Sequence, residues 1–214
     1  MSQPLLLANL SRSEQIHQLT GGYGQLVIDR VADGWSPYLL VLKFHHLGHH
    51  RRRASVIAQM HHAAEGVYTR LLFRVWKHPR ARSVRDLRPV WVLVADVPGL
   101  GSRRQLVRDL LPNDGLHLQG VVAMPPGGRL RASLDEHLAQ MGSRYCPHGG
   151  PLVALHATPI TSSVAYVNSY NFKSLRRGRA ELDDVLILPR PASDLDHRPR
   201  RAADPWRPLV RALP

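Results

Sequence analysis

The chain of 214 residues carries 29 Lys and Arg against 16 Asp and Glu, a formal net charge of +13. That balance favours a polyanionic partner, nucleic acid foremost; 26 of the 29 cations are arginine, and the only lysines are Lys43, Lys77 and Lys173. The single cysteine, Cys146, excludes an internal disulfide framework and a Cys-rich zinc module, and no apolar run approaches the roughly 18–20 residues that cross a bilayer.

In chain order, Ile16 and Leu19 predict a short helix, and Gly21, Gly22 and Gly24 a turn after it. Tyr38 to Phe44 reads as a buried strand. Apolar residues at Val56, Met60, Ala63, Val67, Leu71 and Val75 recur every three or four positions, the period of a long amphipathic helix over 51–77. Arg88 to Val97 is a second strand, ended by Pro98-Gly99. A loop or short helix over Ser102 to Leu111 and the turn Asn113-Asp114-Gly115 lead to a third strand, Leu116 to Met124. A helical period then runs from Leu130 to Met141, and a fourth strand spans Leu152 to Thr158. Thr161 or Ser162 is the candidate N-cap of a helix reaching about Arg177, with Gly178 placed to end it. Val185 to Leu188 is a last short strand.

The order β-α-β-β-α-β predicts an α+β fold, a ferredoxin-like-derived antiparallel sheet with helices mainly on one face. The expected organisation is an N-terminal extension over 1–35, one compact domain over 36–190, and a basic tail over 191–214. Six prolines among arginines in the last 26 residues mark that tail. A lone thiol fits a reducing compartment, and Leu5 to Leu7 is too short for a signal-peptide core, so a cytoplasmic protein with no membrane partner is expected.

Several side chains could carry chemistry. His117 and Gln119 are two apart on a strand and so share a face. Imidazole nitrogen suits Mn²⁺ or a softer ion, and an amide oxygen suits Mg²⁺ or Mn²⁺. Asp96 is the only charged residue in an apolar strand and needs a partner or a metal there. On the last helix Tyr166, Tyr170, Lys173 and Arg177 follow at intervals of four, three and four. Six Tyr and three Lys predict only about 0.1 Tyr-x-x-Lys pairs by chance, and Tyr170 with Lys173 makes one. A phenol can attack phosphorus, and a neighbouring ammonium favours the phenolate. Arg51, Arg52 and Arg53, with Arg176 and Arg177, suit sequence-independent contact with a phosphate backbone. The histidines from His45 to His62 cluster beside those arginines, which disfavour a cation. Tyr145-Cys146-Pro147-His148 is half of a metal motif with no second half.

The stretch His117-Leu118-Gln119-Gly120, followed downstream by Tyr170-Asn171-Phe172-Lys173, resembles the second and third motifs of the HUH-type rolling-circle replication initiators, in their circovirus-like branch. The resemblance covers about residues 36 to 178. It implies that Asp96, His117 and Gln119 hold Mg²⁺ or Mn²⁺, and that Tyr170 attacks single-stranded DNA at an origin or hairpin. It further implies a 5′-phosphotyrosine, with Lys173 positioning the nucleophile or the phosphate and Tyr166 as a second candidate nucleophile. The implied process is rolling-circle replication of a plasmid, phage or mobile element. Two other readings stay open. A non-catalytic nucleic-acid-binding protein on this scaffold would bury Tyr170 and hold Asp96 far from His117. A metal-dependent hydrolase would bring three of the histidines between His45 and His62 together.

Overall fold

A computed structural model describes residues 10–47, 52–96 and 112–190. Arg51, His49, His50, the Ser102 to Leu111 segment and the tail over 191–214 lie outside the described residues. The elements are α1 (Arg12–Ala32), β1 (Ser36–Phe44), α2 (Arg53–Val75), β2 (Val90–Asp96), β3 (His117–Met124), α3 (Leu134–Tyr145), β4 (Leu152–Pro159), α4 (Val164–Asn171), α5 (Lys173–Arg176) and β5 (Val185–Leu188). Short 3₁₀ turns precede β2, β3 and β5. Among the described residues no helix is long and apolar enough to cross a membrane.

The fold is α+β, with one five-stranded sheet in the order β4-β1-β3-β2-β5 and every neighbouring pair antiparallel. The first four strands stand in the order that a β-α-β-β-α-β core produces. Leu40, Leu42 and Phe44 of β1, Leu93 of β2 and Leu118 and Val122 of β3 form one face, covered by Met60, Val67 and Leu71 of α2 and by Leu134 and Leu138 of α3.

The helices do not gather mainly on that face. Every residue of β2 is buried, as are Leu118 and all of Gly120 to Met124 in β3, so both sides of these central strands need cover. Val92, Val94, Val121 and Ala123 form the second face, packed by Ile16 and Val27 of α1 and by Phe172 and Leu175 around α5. Helices on one side therefore describe the β-α-β-β-α-β core, and α1 with α4 and α5 adds the opposite layer. The first 35 residues are correspondingly more than an extension, since α1 supplies part of this second core.

The turn expected at Gly21, Gly22 and Gly24 is absent, because α1 runs through all three as one helix of 21 residues. Ser11 and Glu14 close its N-terminus as a reciprocal capping box. Burial of the stripe through Ile16, Gly24 and Val27 outweighs the glycines' low helix propensity. Gly24 faces α4, where an added Cβ would stand 3.0 Å from Nδ2 of Asn168. Gly21 and Gly22 face open space. Gly21→Ala and Gly22→Ala are each expected to stabilise the protein by roughly 0.5–1 kcal/mol, read as a higher melting temperature. A lower melting temperature for both would contradict the continuous helix.

The last long helix also differs from expectation. Its N-cap is Ser163, whose hydroxyl accepts from the Tyr166 amide at 3.3 Å. It breaks at Phe172 (φ −85°, ψ 11°) and resumes at Lys173 as α5. Phe172 is fully buried against the sheet and sets the break. Gly178, at φ +63°, follows the end of α5.

Candidate active site at one end of the sheet

Pairing register decides which strand residues meet. Asp96, the last residue of β2, stands opposite His117, the first of β3, and Val94 stands opposite Gln119. Residues directly opposite one another share a face. Asp96, His117 and Gln119 therefore lie together on the face covered by α4 and α5, at one end of the sheet.

Asp96 is 2% exposed and is held by three donors. Gln119 Nε2 donates to its Oδ2 at 2.9 Å, Lys173 Nζ lies 2.9 Å from the same oxygen, and the Ser174 hydroxyl donates to Oδ1. A buried carboxylate needs such partners. The break at Phe172 provides two of them, because α5 restarts with Lys173 and Ser174 turned down onto the strand end. Asn171, 1% exposed, ties the end of α4 to β2 by donating from Nδ2 to the Val92 carbonyl at 3.2 Å.

Lys173 connects the buried carboxylate to the surface. Its ammonium also donates to Tyr170 Oη at 3.1 Å and lies 4.3 Å from the Tyr170 ring centre. Burial works against the ammonium's charge, but the hydrogen bonds with Asp96 and Tyr170 outweigh it and raise the lysine above its usual range. The group is a cation at neutral pH. Tyr170 is 52% exposed and Tyr166 68% exposed. Their rings stack with centroids 6.4 Å apart, one turn of α4 separating them.

The charge on Asp96 has a consequence one residue further on. A carboxylate only accepts, so the Gln119 amide must turn its NH₂ toward Asp96. Its Oε1 then faces His117 Nε2 at 3.4 Å. His117 Nδ1 lies 2.9 Å from the Gly115 carbonyl oxygen, another pure acceptor, so Nδ1 carries the proton. In the neutral ring Nε2 then keeps its lone pair. In that form of the ring two acceptors face each other. One imidazole nitrogen and one amide oxygen at this spacing fit a single cation at bond lengths of roughly 2.1 Å, and the Nδ1–H to carbonyl bond is the arrangement that orients metal-binding histidines. His117 and Gln119 are the side chains that could hold Mg²⁺ or Mn²⁺; Asp96, expected as a third ligand, instead has both oxygens engaged by Gln119, Lys173 and Ser174. Among the described residues no group of three or more His, Cys, Asp or Glu converges on a metal position. The histidines between His45 and His62 thus assemble no such cluster among the described residues.

The arginines divide. Arg52 stands exposed before α2, whereas Arg53 pairs at 2.7 Å with Asp184, whose side chain is 7% exposed. Arg53 therefore has a structural partner as well as an exposed position. Arg176 donates to the Ser169 carbonyl, and Arg177 is exposed at the end of α5.

Sequence reasoning did not single out Ser174 or Asn171. The signal for Ser174 was the buried charge at Asp96, which demanded donors, and a hydroxyl beside Lys173 was the nearest supply. No protein-family model, curated protein or solved structure matches this chain.

Proposed function

We propose that this protein is a metal-dependent nicking and joining enzyme for single-stranded DNA, with Tyr170 as the nucleophile. One observation carries the reading: an unbroken series of polar contacts runs from a half-exposed phenol, through Lys173 and Asp96, to the facing acceptors of Gln119 and His117. The geometry that would mark a purely binding module is a buried Tyr170 and a distant Asp96, and neither is found.

In this reading the Tyr170 oxygen attacks phosphorus, its bond to phosphorus forms, and the bond to the 3′ oxygen breaks. The phenol proton passes to solvent, which reaches the half-exposed Tyr170, and the departing 3′ oxygen takes a proton from solvent to end as a free 3′-hydroxyl. The 5′ phosphate stays on Tyr170 until a DNA hydroxyl attacks it and rejoins the strand. Lys173 holds the phenol oxygen in place and stabilises negative charge developing there. Asp96 keeps Lys173 and Gln119 in register. His117 and Gln119 would hold Mg²⁺ or Mn²⁺, which when bound supplies Lewis-acid polarisation of the phosphate. Arg52, Arg176 and Arg177 would supply contacts to the DNA backbone. Priming rolling-circle replication of a plasmid, phage or mobile element is the process that such a free 3′-hydroxyl serves.

The test is a denaturation-resistant adduct between the protein and labelled single-stranded DNA in Mn²⁺. Tyr170→Phe is expected to abolish it. Tyr166→Phe is expected to retain it, because the lysine contact belongs to Tyr170. An adduct that survives Tyr170→Phe would overturn the assignment. A second reading, binding without chemistry, draws on the engagement of both Asp96 oxygens by protein donors. Salt-sensitive DNA binding with no adduct would favour it.

A further inference from the structure

Lysine is scarce in this chain, and two of the three lysines flank the candidate site. Lys43 lies on β1 directly opposite His117 in the register of β1 with β3. One row across the sheet therefore reads Lys43, His117, Asp96, all on the face covered by α4 and α5. Lys43 is the exposed residue of an otherwise apolar strand segment, Tyr38 to Phe44. Cβ atoms of directly opposed residues stand roughly 4.5–5.5 Å apart, so its stem begins beside the imidazole.

Asp96 is matched by Lys173. His117 and Gln119 bring no anionic group to the row. Among the described residues the ion pairs are Arg12–Glu181, Arg53–Asp184, Lys173–Asp96 and Arg190–Glu65, none involving Lys43. An exposed ammonium beside His117 and Gln119 attracts an anion, and a cation bound by those side chains would strengthen the attraction.

We propose that Lys43 is a DNA phosphate-binding residue of this site, holding the backbone phosphate on the β1 side of His117. The proposal rests on the nicking reading and deepens it by placing the DNA strand across β3, between the two lysines. An ammonium on a flexible stem serves this as a point charge, with no need for the bidentate geometry of arginine.

The third lysine supplies the control. Lys77 is exposed two residues beyond α2, whose last residue, Val75, bonds through its carbonyl to the Arg129 amide at 2.8 Å. Arg129 follows the Met124 end of β3, so Lys77 lies at the opposite pole of the sheet from His117. Lys43→Met and Lys77→Met make the same chemical change at the two ends. Binding of a fluorescent single-stranded oligonucleotide is measured in EDTA, so that nicking does not intervene, across a series of salt concentrations. Loss of one phosphate contact lowers the slope of log K against log salt by about 0.7 in magnitude. The expected result is that shift, with several-fold weaker binding, for Lys43→Met, wild-type behaviour for Lys77→Met, and restoration by Lys43→Arg. Equal slopes for the two methionine variants would overturn the proposal. An adduct at Tyr170 combined with equal slopes leaves the nicking reading standing and removes Lys43 from it. A slope change specific to Lys43 without any adduct does the reverse.

Discussion

Under the proposed nicking function, replacing Asp96 with asparagine is expected to lower metal affinity and nicking by roughly 10–100-fold, at a cost to folding of about 1–3 kcal/mol. The substitution keeps the volume of a side chain that is 2% exposed, so no cavity forms. What changes is the negative charge under three donors. Lys173 loses its counter-ion at 2.9 Å and keeps only Tyr170, so the ammonium is free to swing to solvent. Gln119 then bonds a neutral amide, and the bias that turns its Oε1 toward His117 weakens. Ser174, 1% exposed, must share its hydrogen bond with an NH₂ group. Two readouts separate these effects. Mn²⁺ binding followed by electron paramagnetic resonance reports the His117–Gln119 pair, and urea unfolding reports the fold. Nicking within twofold of the wild type would show that Asp96 neither orients Gln119 nor anchors Lys173.

Asp96 also shows what a single sequence discloses. One carboxylate in an apolar strand demanded a partner, and that demand was legible. The identity of the partners was not, because it depends on a helix break. A uniform helical period through Tyr166, Tyr170, Lys173 and Arg177 hides the point where Phe172, drawn into the second core, ends α4. Without the break Lys173 and Ser174 would not be delivered to β2. The same limit operated at the N-terminus. Local propensity reads Gly21, Gly22 and Gly24 as a turn, whereas burial of Ile16 and Val27 against the sheet keeps α1 helical. The order of strands was legible from the alternation of elements. The second helical layer was not signalled by that order, though the continuous burial of β2 and most of β3 required it.

The glycine of the His-x-Gln-Gly stretch carries the other large effect. Gly120→Ala is expected to destabilise the protein by at least about 4 kcal/mol, most of the stability of a domain at the low end of the ordinary range of about 5–15 kcal/mol. Gly120 is in the centre of β3, opposite Leu40 on one side and Leu93 on the other. A Cβ built there would stand 1.9 Å from the Val92 carbonyl oxygen and 2.7 Å from the Leu93 Cα. Those are backbone atoms of the neighbouring strand, so no rotamer change relieves the contact. The two central strands would have to part, breaking ladder hydrogen bonds between fully buried residues. Circular dichroism and urea unfolding would register the loss, and a midpoint near the wild-type value would refute it. The expected contrast is Gln119→Ala, which leaves the β2–β3 ladder intact, costs only the roughly 1–3 kcal/mol of one lost donor to Asp96, and under the proposed function removes Mn²⁺ binding and nicking. This contrast assigns different weights to the residues of one motif. Gly120 is demanded by strand packing and would be required in a protein with no activity at all. His117 and Gln119 are half-buried polar side chains on an apolar face, which the packing of the sheet does not require. The case for chemistry at this end of the sheet therefore rests on that pair and on the Tyr170–Lys173–Asp96 series that reaches it, with the glycine counted as architecture.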